Sequence, residues 1–177
     1  NNGKKFSVGV SINNLSLNEN DIGEFKTFLK ISPPLRTEND RLALVQGIKE
    51  NLIDVIVSDH LPEDEESKRL PFAQAATGAI GIETLLPLAL EMYHNESLPL
   101  MKIIETLTIN PSKILKINKG SLRKGSDGDI CVFDLEVPWK LDAEKLKSKS
   151  KNTAIEERKL QGKVLMTFLN GELVFKQ

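Results

Sequence analysis

The sequence predicts an α/β fold: the C-terminal part of a (β/α)8 TIM-like barrel, followed by a small β module. Three observations carry this. Strand and helix signals alternate through residues 1–117, as they do in parallel α/β architectures. Val55-Ile56-Val57 is a continuous β-branched run of the kind buried in a parallel sheet. After about Asn118 the character changes: Gly120, Gly125 and Gly128 punctuate the chain, and Asn170-Gly171 is a strong hairpin signal. Two barrel strands cannot close a barrel that needs eight strands and roughly 250 residues. Residues 1–117 therefore read as the last strands and helices of a barrel, and residues 118–177 as a β portion.

The elements follow in order. Phe6 to Ile12 is the first strand. Asn13 to Asn20 is polar and reads as a loop, and Asp21 to Phe28 as a short helix. Leu29-Lys30-Ile31 is stopped by Ser32-Pro33-Pro34, where two prolines forbid a helix. Thr37 caps the next helix, which runs to about Glu50, and Asp40 imitates a capping box. Leu42, Val45 and Ile48 recur at the helical spacing. Asp54 to Ser58 is the second strand, and the acidic loop Leu61 to Lys68 follows it. Gly78-Ala79-Ile80-Gly81 leads into a helix over Ile82 to Tyr93; further helices span Leu98 to Thr108 and Pro111 to Leu115. The tail offers strands at Asp129 to Leu135, Val137 to Leu141, Gln161 to Leu169 and Glu172 to Phe175, within a module of about five. The alternating Lys145, Lys147, Lys149 and Lys151 read as a solvated face.

Composition narrows the function classes. Apolar residues make up 40% of the 177 and charged residues 28%, with a net charge of −1. That balance provides no electrostatic footprint for nucleic acid or an anionic membrane. No apolar run approaches the ~20 residues of a membrane span. The single cysteine, Cys131, excludes an internal disulfide and a Cys-rich zinc site. It lies in a strand-like run, which predicts a buried structural thiol and fits a reducing cytoplasm. The chain starts Asn1-Asn2-Gly3-Lys4-Lys5 without a methionine, which suggests numbering that begins inside a longer protein.

Chemistry concentrates in Val55-Ile56-Val57-Ser58-Asp59-His60. Reactive groups of a (β/α) barrel sit where strands deliver their last side chains to the C-terminal face. Aspartate and histidine are oxygen and nitrogen ligands for zinc. Asp59 is thus a candidate metal ligand or general base. The same pair after a strand also starts ordinary turns. His60 is read equally as an orienter of the metal-site carboxylate or as a packing residue of the turn. His94, near a helix end, reads as a partly exposed cap.

Several segments resemble class I dihydroorotases. Ser32-Pro33-Pro34-Leu35-Arg36 is similar to their NPPLR segment, and Ile53 to His60 to their catalytic strand, IDVIATDHAPH. Gly78 to Thr84 is similar to GxxGxET. Asn110-Pro111, Lys124 to Asp129, Ser148 to Thr153 and Gly162-Lys163-Val164 match later landmarks in the right order. The resemblance implies a zinc-dependent amidohydrolase with a (β/α)8 barrel and a small β-sandwich. That family interconverts N-carbamoyl-L-aspartate and L-dihydroorotate in pyrimidine biosynthesis. It implies one or two zinc ions, with Asp59 as the last ligand and as general acid/base, and the other ligands outside this chain. It also implies a homo-oligomer and a need for the N-terminal part of the barrel. Ser32, Glu63, Thr77 and Gly78 occupy the family's substrate-contacting positions.

Two of those positions depart from the family. Ser32 replaces an asparagine, and Glu63 replaces the second histidine of DHAPH, among Asp64, Glu65 and Glu66. Asn13-Asn14 stands where the family carries the HH of TPHHL. At ~4 Å and an effective dielectric near 20, a carboxylate facing an anionic substrate costs about 4 kcal/mol, unless Glu63 turns away or pairs with Lys68 or Arg69. One reading is a divergent active dihydroorotase. The other is a non-catalytic dihydroorotase-like protein serving as a structural partner of aspartate transcarbamoylase. A hydantoinase- or allantoinase-like enzyme is a weaker third reading.

Overall fold

The computed structural model describes residues 6–177; the expectation drawn from Asn1 to Lys5 lies outside them. Strand β1 (Gly9–Ser11) lies parallel to β2 (Val55–Val57), with Val10 opposite Ile56. Both strands are shorter than expected. Ser11 ends β1 because its hydroxyl accepts from the Asn13 N–H at 3.3 Å and caps α1 (Ile12–Ser16). Half of the expected loop is therefore helix, and it buries Ile12 and Leu15 completely. The helix expected over Asp21 to Phe28 is instead two 3-10 turns, Glu19–Ile22 and Thr27–Leu29. Gly23 (φ 53°) and Phe25 (φ 58°) separate them, and a right-handed helix cannot pass through that region.

Helix α2 (Glu38–Lys49) agrees with its expectation. Thr37 Oγ1 accepts from the Asp40 N–H at 3.2 Å, and Asp40 Oδ2 accepts from the Thr37 N–H at 3.1 Å. Val45 and Ile48 form its buried face. A short α3 (Glu65–Lys68) folds inside the acidic loop, capped by Asp64, where only loop was expected. Helix α4 (Leu85–His94) begins three residues later than expected. Helices α5 (Leu100–Leu107) and α6 (Ile109–Leu115) are divided at Thr108. Asn110 Nδ2 donates to the Asp54 carbonyl at 2.9 Å and holds α6 to the start of β2.

The tail forms one antiparallel sheet among the described residues: β3 (Ile130–Lys140), β4 (Lys159–Leu169) and β5 (Glu172–Lys176). The two strands expected around Pro138 are one. A register irregularity between Asp134 and Pro138 absorbs the missing proline donor. Asn170 (φ 52°) and Gly171 (φ 82°) make the expected hairpin turn. Three strands stand where about five were expected, and they form a single layer. Cys131 is exposed rather than buried, because it lies on β3, at the edge of the sheet, where only β4 pairs with it.

One core joins the barrel-like part to the tail. Val10, Ile12, Leu15, Ile48, Ile56, Leu88 and Ile103 pack in the same cluster as Leu141, Ile155 and Leu160. Each fully buried Leu or Ile contributes roughly 1.5–3 kcal/mol of transfer free energy. The Arg158 guanidinium bonds the Glu91 carboxylate at 2.8 Å across that junction. Burial nonetheless raises the Glu91 pKa, outweighing Arg158. Trp139 Nε1 donates to the Gly162 carbonyl at 2.9 Å. Gly162 (φ 98°) has no room for a side chain, since a Cβ there would lie 2.5 Å from Leu90 Cδ1.

Large apolar side chains remain open on this chain, among them Leu52, Val57, Met101 and Phe175. Strand β2 pairs only with β1 among the described residues. An unpaired strand edge and uncovered apolar side chains favour association. The isolated 177-residue chain is therefore expected to self-associate in sedimentation; a monomer that melts cooperatively would contradict this. A second outcome concerns Glu38, whose carboxylate accepts from Arg41 and Asn18. The Arg41 bond, then the Asn18 bond, lower its pKa from 4.5 to about 2. A depressed carboxylate stabilises above its unfolded pKa and loses that stabilisation as pH falls. The urea midpoints of wild type and Glu38→Gln should thus differ above pH 4.5 and converge toward pH 2. The gap should be small, because the Glu38 side of this pair is exposed to solvent.

Candidate active site at the end of strand β2

Asp59 and His60 follow β2 by two and three residues. Asn13 and Asn14 stand at the same end of the neighbouring β1. Asp59 is half-buried and adopts φ 48°, the left-handed region that aspartate tolerates better than bulky residues. The turn is held from the other side by Gly81. A Cβ on Gly81 would lie 2.2 Å from the Ser58 carbonyl oxygen, so only glycine lets these backbones touch. Among the described residues, no group of three or more His, Cys, Asp or Glu side chains could hold a metal. A zinc ion at Asp59 would draw its other ligands from elsewhere.

His60 has a definite local task. Its Nδ1 accepts from the Gly81 N–H at 3.1 Å and from the Ile82 N–H at 3.4 Å. An accepting Nδ1 carries no proton. His60 also forms an isolated parallel bridge with Ala79, and Leu61 N–H donates to the Ala79 carbonyl at 2.9 Å. Of its two expected roles, this contact supports the one in the turn. His94 is half-buried at the end of α4, and its Nε2 is buried without a hydrogen-bond partner.

Asn152 ties the whole region together, a role the sequence reading did not assign to it. Its side chain is buried; Nδ2 donates to the Leu61 carbonyl at 3.1 Å and the Gly78 carbonyl at 3.2 Å, and Oδ1 accepts from the Glu63 N–H at 3.2 Å. Its own carbonyl accepts from the Ile80 N–H at 3.2 Å. Glu83 completes the attachment by accepting from the Lys147 and Ser148 N–H groups at 3.0 and 3.1 Å. The signal for these bonds was present in the Ser148 to Thr153 landmark, but nothing in one sequence says what such a segment touches.

The other candidate positions are placed as follows. Gly78 is buried, and its N–H donates to the Lys30 carbonyl at 2.9 Å. Thr77 beside it is half-buried, and Ser32 is exposed two residues beyond Lys30. The chain thereby joins Glu63 and Gly78 through Asn152, sets Thr77 next to Gly78 in the chain, and puts Ser32 on the margin. Glu63 pairs with neither expected cation: Arg69 binds Glu65 and Glu66, and the Lys68 ammonium is taken by three backbone carbonyls. Asn14 Nδ2 donates to the Pro33 and Pro34 carbonyls, each at 3.3 Å, and so holds the segment after Ser32. A cleft of about 420 Å³ lies beside this network, lined by Phe28, Glu63, Lys149 and Asn152; it does not include Asp59.

Comparison with known proteins identifies the family. The profile of the amidohydrolase family matches residues 11–174. The dihydroorotase of Ehrlichia canis is 43% identical over 99% of this chain and 39% of its own length. That of Aquifex aeolicus is 39% identical over 98% of this chain and 41% of its own length. The L-hydantoinase (dihydropyrimidinase) of Arthrobacter aurescens superimposes with a TM-score of 0.90 at 27% identity, covering 96% of this chain and 39% of that one. The dihydropyrimidinase of Brevibacillus agri, at 22% identity and a TM-score of 0.87, shares the fold. The chain thus spans about two fifths of the length of the curated relatives it matches. The chain belongs to the amidohydrolase family, and within it is similar to the dihydroorotases along nearly its whole length.

Proposed function

We propose that this chain forms the C-terminal part of a zinc-dependent dihydroorotase that interconverts N-carbamoyl-L-aspartate and L-dihydroorotate, with Asp59 as metal ligand and general acid/base. The observation that carries the reading is the position of Asp59. It is a half-buried carboxylate at the C-terminal end of a parallel strand, in a chain 43% identical to a dihydroorotase. The donor chemistry fits, since carboxylate oxygen is an ordinary zinc ligand. One aspartate is not a complete set, so the remaining ligands belong to the N-terminal part of the barrel.

Asp59 would be one of the residues that hold the zinc, and the bound ion would supply Lewis acidity at the ring amide and at water. Asp59 Oδ then takes the proton of the attacking water and delivers it to the leaving ring nitrogen. In ring closure the same carboxylate removes the proton from the carbamoyl nitrogen. Thr77 and Gly78 occupy the family's substrate-contacting positions, with Ser32 on their margin; the Gly78 N–H and carbonyl are themselves bonded to Lys30 and Asn152. Glu63 occupies the place of a substrate-carboxylate contact and weakens it by repulsion.

The same reading extends to the rest of the molecule. Residues 1–117 belong to the barrel, and residues 118–177 complete a β-sandwich with strands outside this chain. The protein is cytoplasmic and homo-oligomeric. None of the described helices is long and apolar enough to cross a membrane.

Full-length protein decides the matter. Its zinc content and dihydroorotate turnover are measured beside those of Asp59→Asn. The variant should keep the wild-type melting temperature while turnover falls by ~10²–10⁴. Unchanged turnover in Asp59→Asn would remove Asp59 from the chemistry. A wild-type protein that binds no zinc, does not turn over dihydroorotate and co-purifies with aspartate transcarbamoylase would instead favour the non-catalytic reading, which the unpaired Glu63 motivates.

A further inference from the structure

Lys68 is 1% exposed, although lysine is among the residue types least often buried. Its Nζ donates to three backbone carbonyls: Thr27 at 3.0 Å, Lys30 at 3.3 Å and Ala76 at 2.9 Å. An ammonium has three protons, so its donors are fully used. The acceptors come from two different segments. Thr27 and Lys30 precede Ser32, whereas Ala76 precedes Thr77 and Gly78. Further bonds run between the same segments. Thr27 Oγ1 donates to the Lys68 carbonyl at 2.5 Å, and Lys30 Nζ donates to the Ala73 and Ala75 carbonyls at 2.9 and 2.8 Å.

This arrangement is expensive. A buried charge without a contacting counter-charge loses hydration that carbonyl dipoles restore only in part. Burial lowers the Lys68 pKa, Glu63 opposes that at longer range, and Lys30 adds to it. A helix of four residues does not need such a group to end it. What the ammonium does achieve is to fix two backbone segments at one distance from each other.

We infer that Lys68 is a positioning residue whose ammonium joins residues 27–32 to residues 76–78, setting Ser32 and Thr77–Gly78 in register around the Asp59 site. The assignment rests on the dihydroorotase reading for what those positions contact. Lys68 touches no reacting atom; it acts through the backbone it holds. Loss of the ammonium takes the side-chain bond from the Ala76 carbonyl, while the Thr27 and Lys30 carbonyls keep the Lys30 and Gly78 N–H groups as donors; the Thr77–Gly78 edge is then less firmly held to Ser32. Binding geometry then suffers more than the proton transfer at Asp59.

The test uses full-length Lys68→Met, Lys68→Arg and a core control, Ile103→Ala, whose side chain is fully buried in the core. Lys68→Met should raise KM for dihydroorotate by about tenfold or more while kcat stays within about threefold, the signature of lost binding interactions. Lys68→Arg should recover part of the loss. Ile103→Ala should lower the melting temperature and leave KM unchanged. An unaltered KM in Lys68→Met, or an equal rise in Ile103→Ala, overturns the assignment. Hydrogen exchange separates this from the functional reading. Should wild type lack turnover, the dihydroorotase reading fails. The positioning role then stands only if the Ala76 and Gly78 amides exchange at least about tenfold faster in Lys68→Met than in wild type and Ile103→Ala; equal rates overturn it. Should Lys68→Met not fold, Lys68→Arg is judged by the same two criteria.

Discussion

The Asn152 carboxamide is the contact on which the site region depends. It is buried and meets three backbone groups from both arms of the excursion that follows β2. Each such bond adds only about 1 kcal/mol net, but each buried group left without a partner costs ~1–3 kcal/mol. The segment holding Asn152 lies 91 residues from Leu61 in sequence. The end of β2, the Gly78–Gly81 turn and the C-terminal part of the chain are consequently one bonded unit. Gly81 against Ser58 and the His60 Nδ1 contact tighten that unit from within.

Electrostatics in the loop follow from this closure. Asp64, Glu65 and Glu66 are exposed. Asp64 caps α3, and Glu65 and Glu66 pair with Arg69 on its surface. Lys68 and Lys30 turn inward instead and serve backbone carbonyls. Glu63 forms no ion pair among the described residues, since Arg69 and Lys68 are bonded elsewhere.

The same core serves both halves of the chain. Leu141, Ile155 and Leu160 pack with Val10, Ile56 and Leu88, and the Arg158–Glu91 pair spans the junction. The β tail therefore supports the strand that presents Asp59 as well as forming a sheet of its own. Apolar side chains such as Val57 and Phe175 remain open.

Local chemistry made much of this legible in advance. The β-branched run of β2, the Thr37–Asp40 capping box, the Asn170-Gly171 turn and the placement of Asp59 just after a strand depend on neighbours within a few residues; of that strand only Ile56 is buried in this chain. By itself the sequence determined those elements, the barrel-like order and the resemblance to dihydroorotases. It failed where a local turn or a distant partner decides, because neither is written in the periodicity. Ser11 turned an expected loop into α1, and positive φ at Gly23 and Phe25 broke an expected helix. The edge position of β3 exposed Cys131, and Pro138 fell inside one strand rather than between two. Only the tertiary structure showed what Asn152, Gly81 and Lys68 touch. Their partners lie far along the chain or belong to the backbone, and a sequence does not record which carbonyl a buried donor will meet.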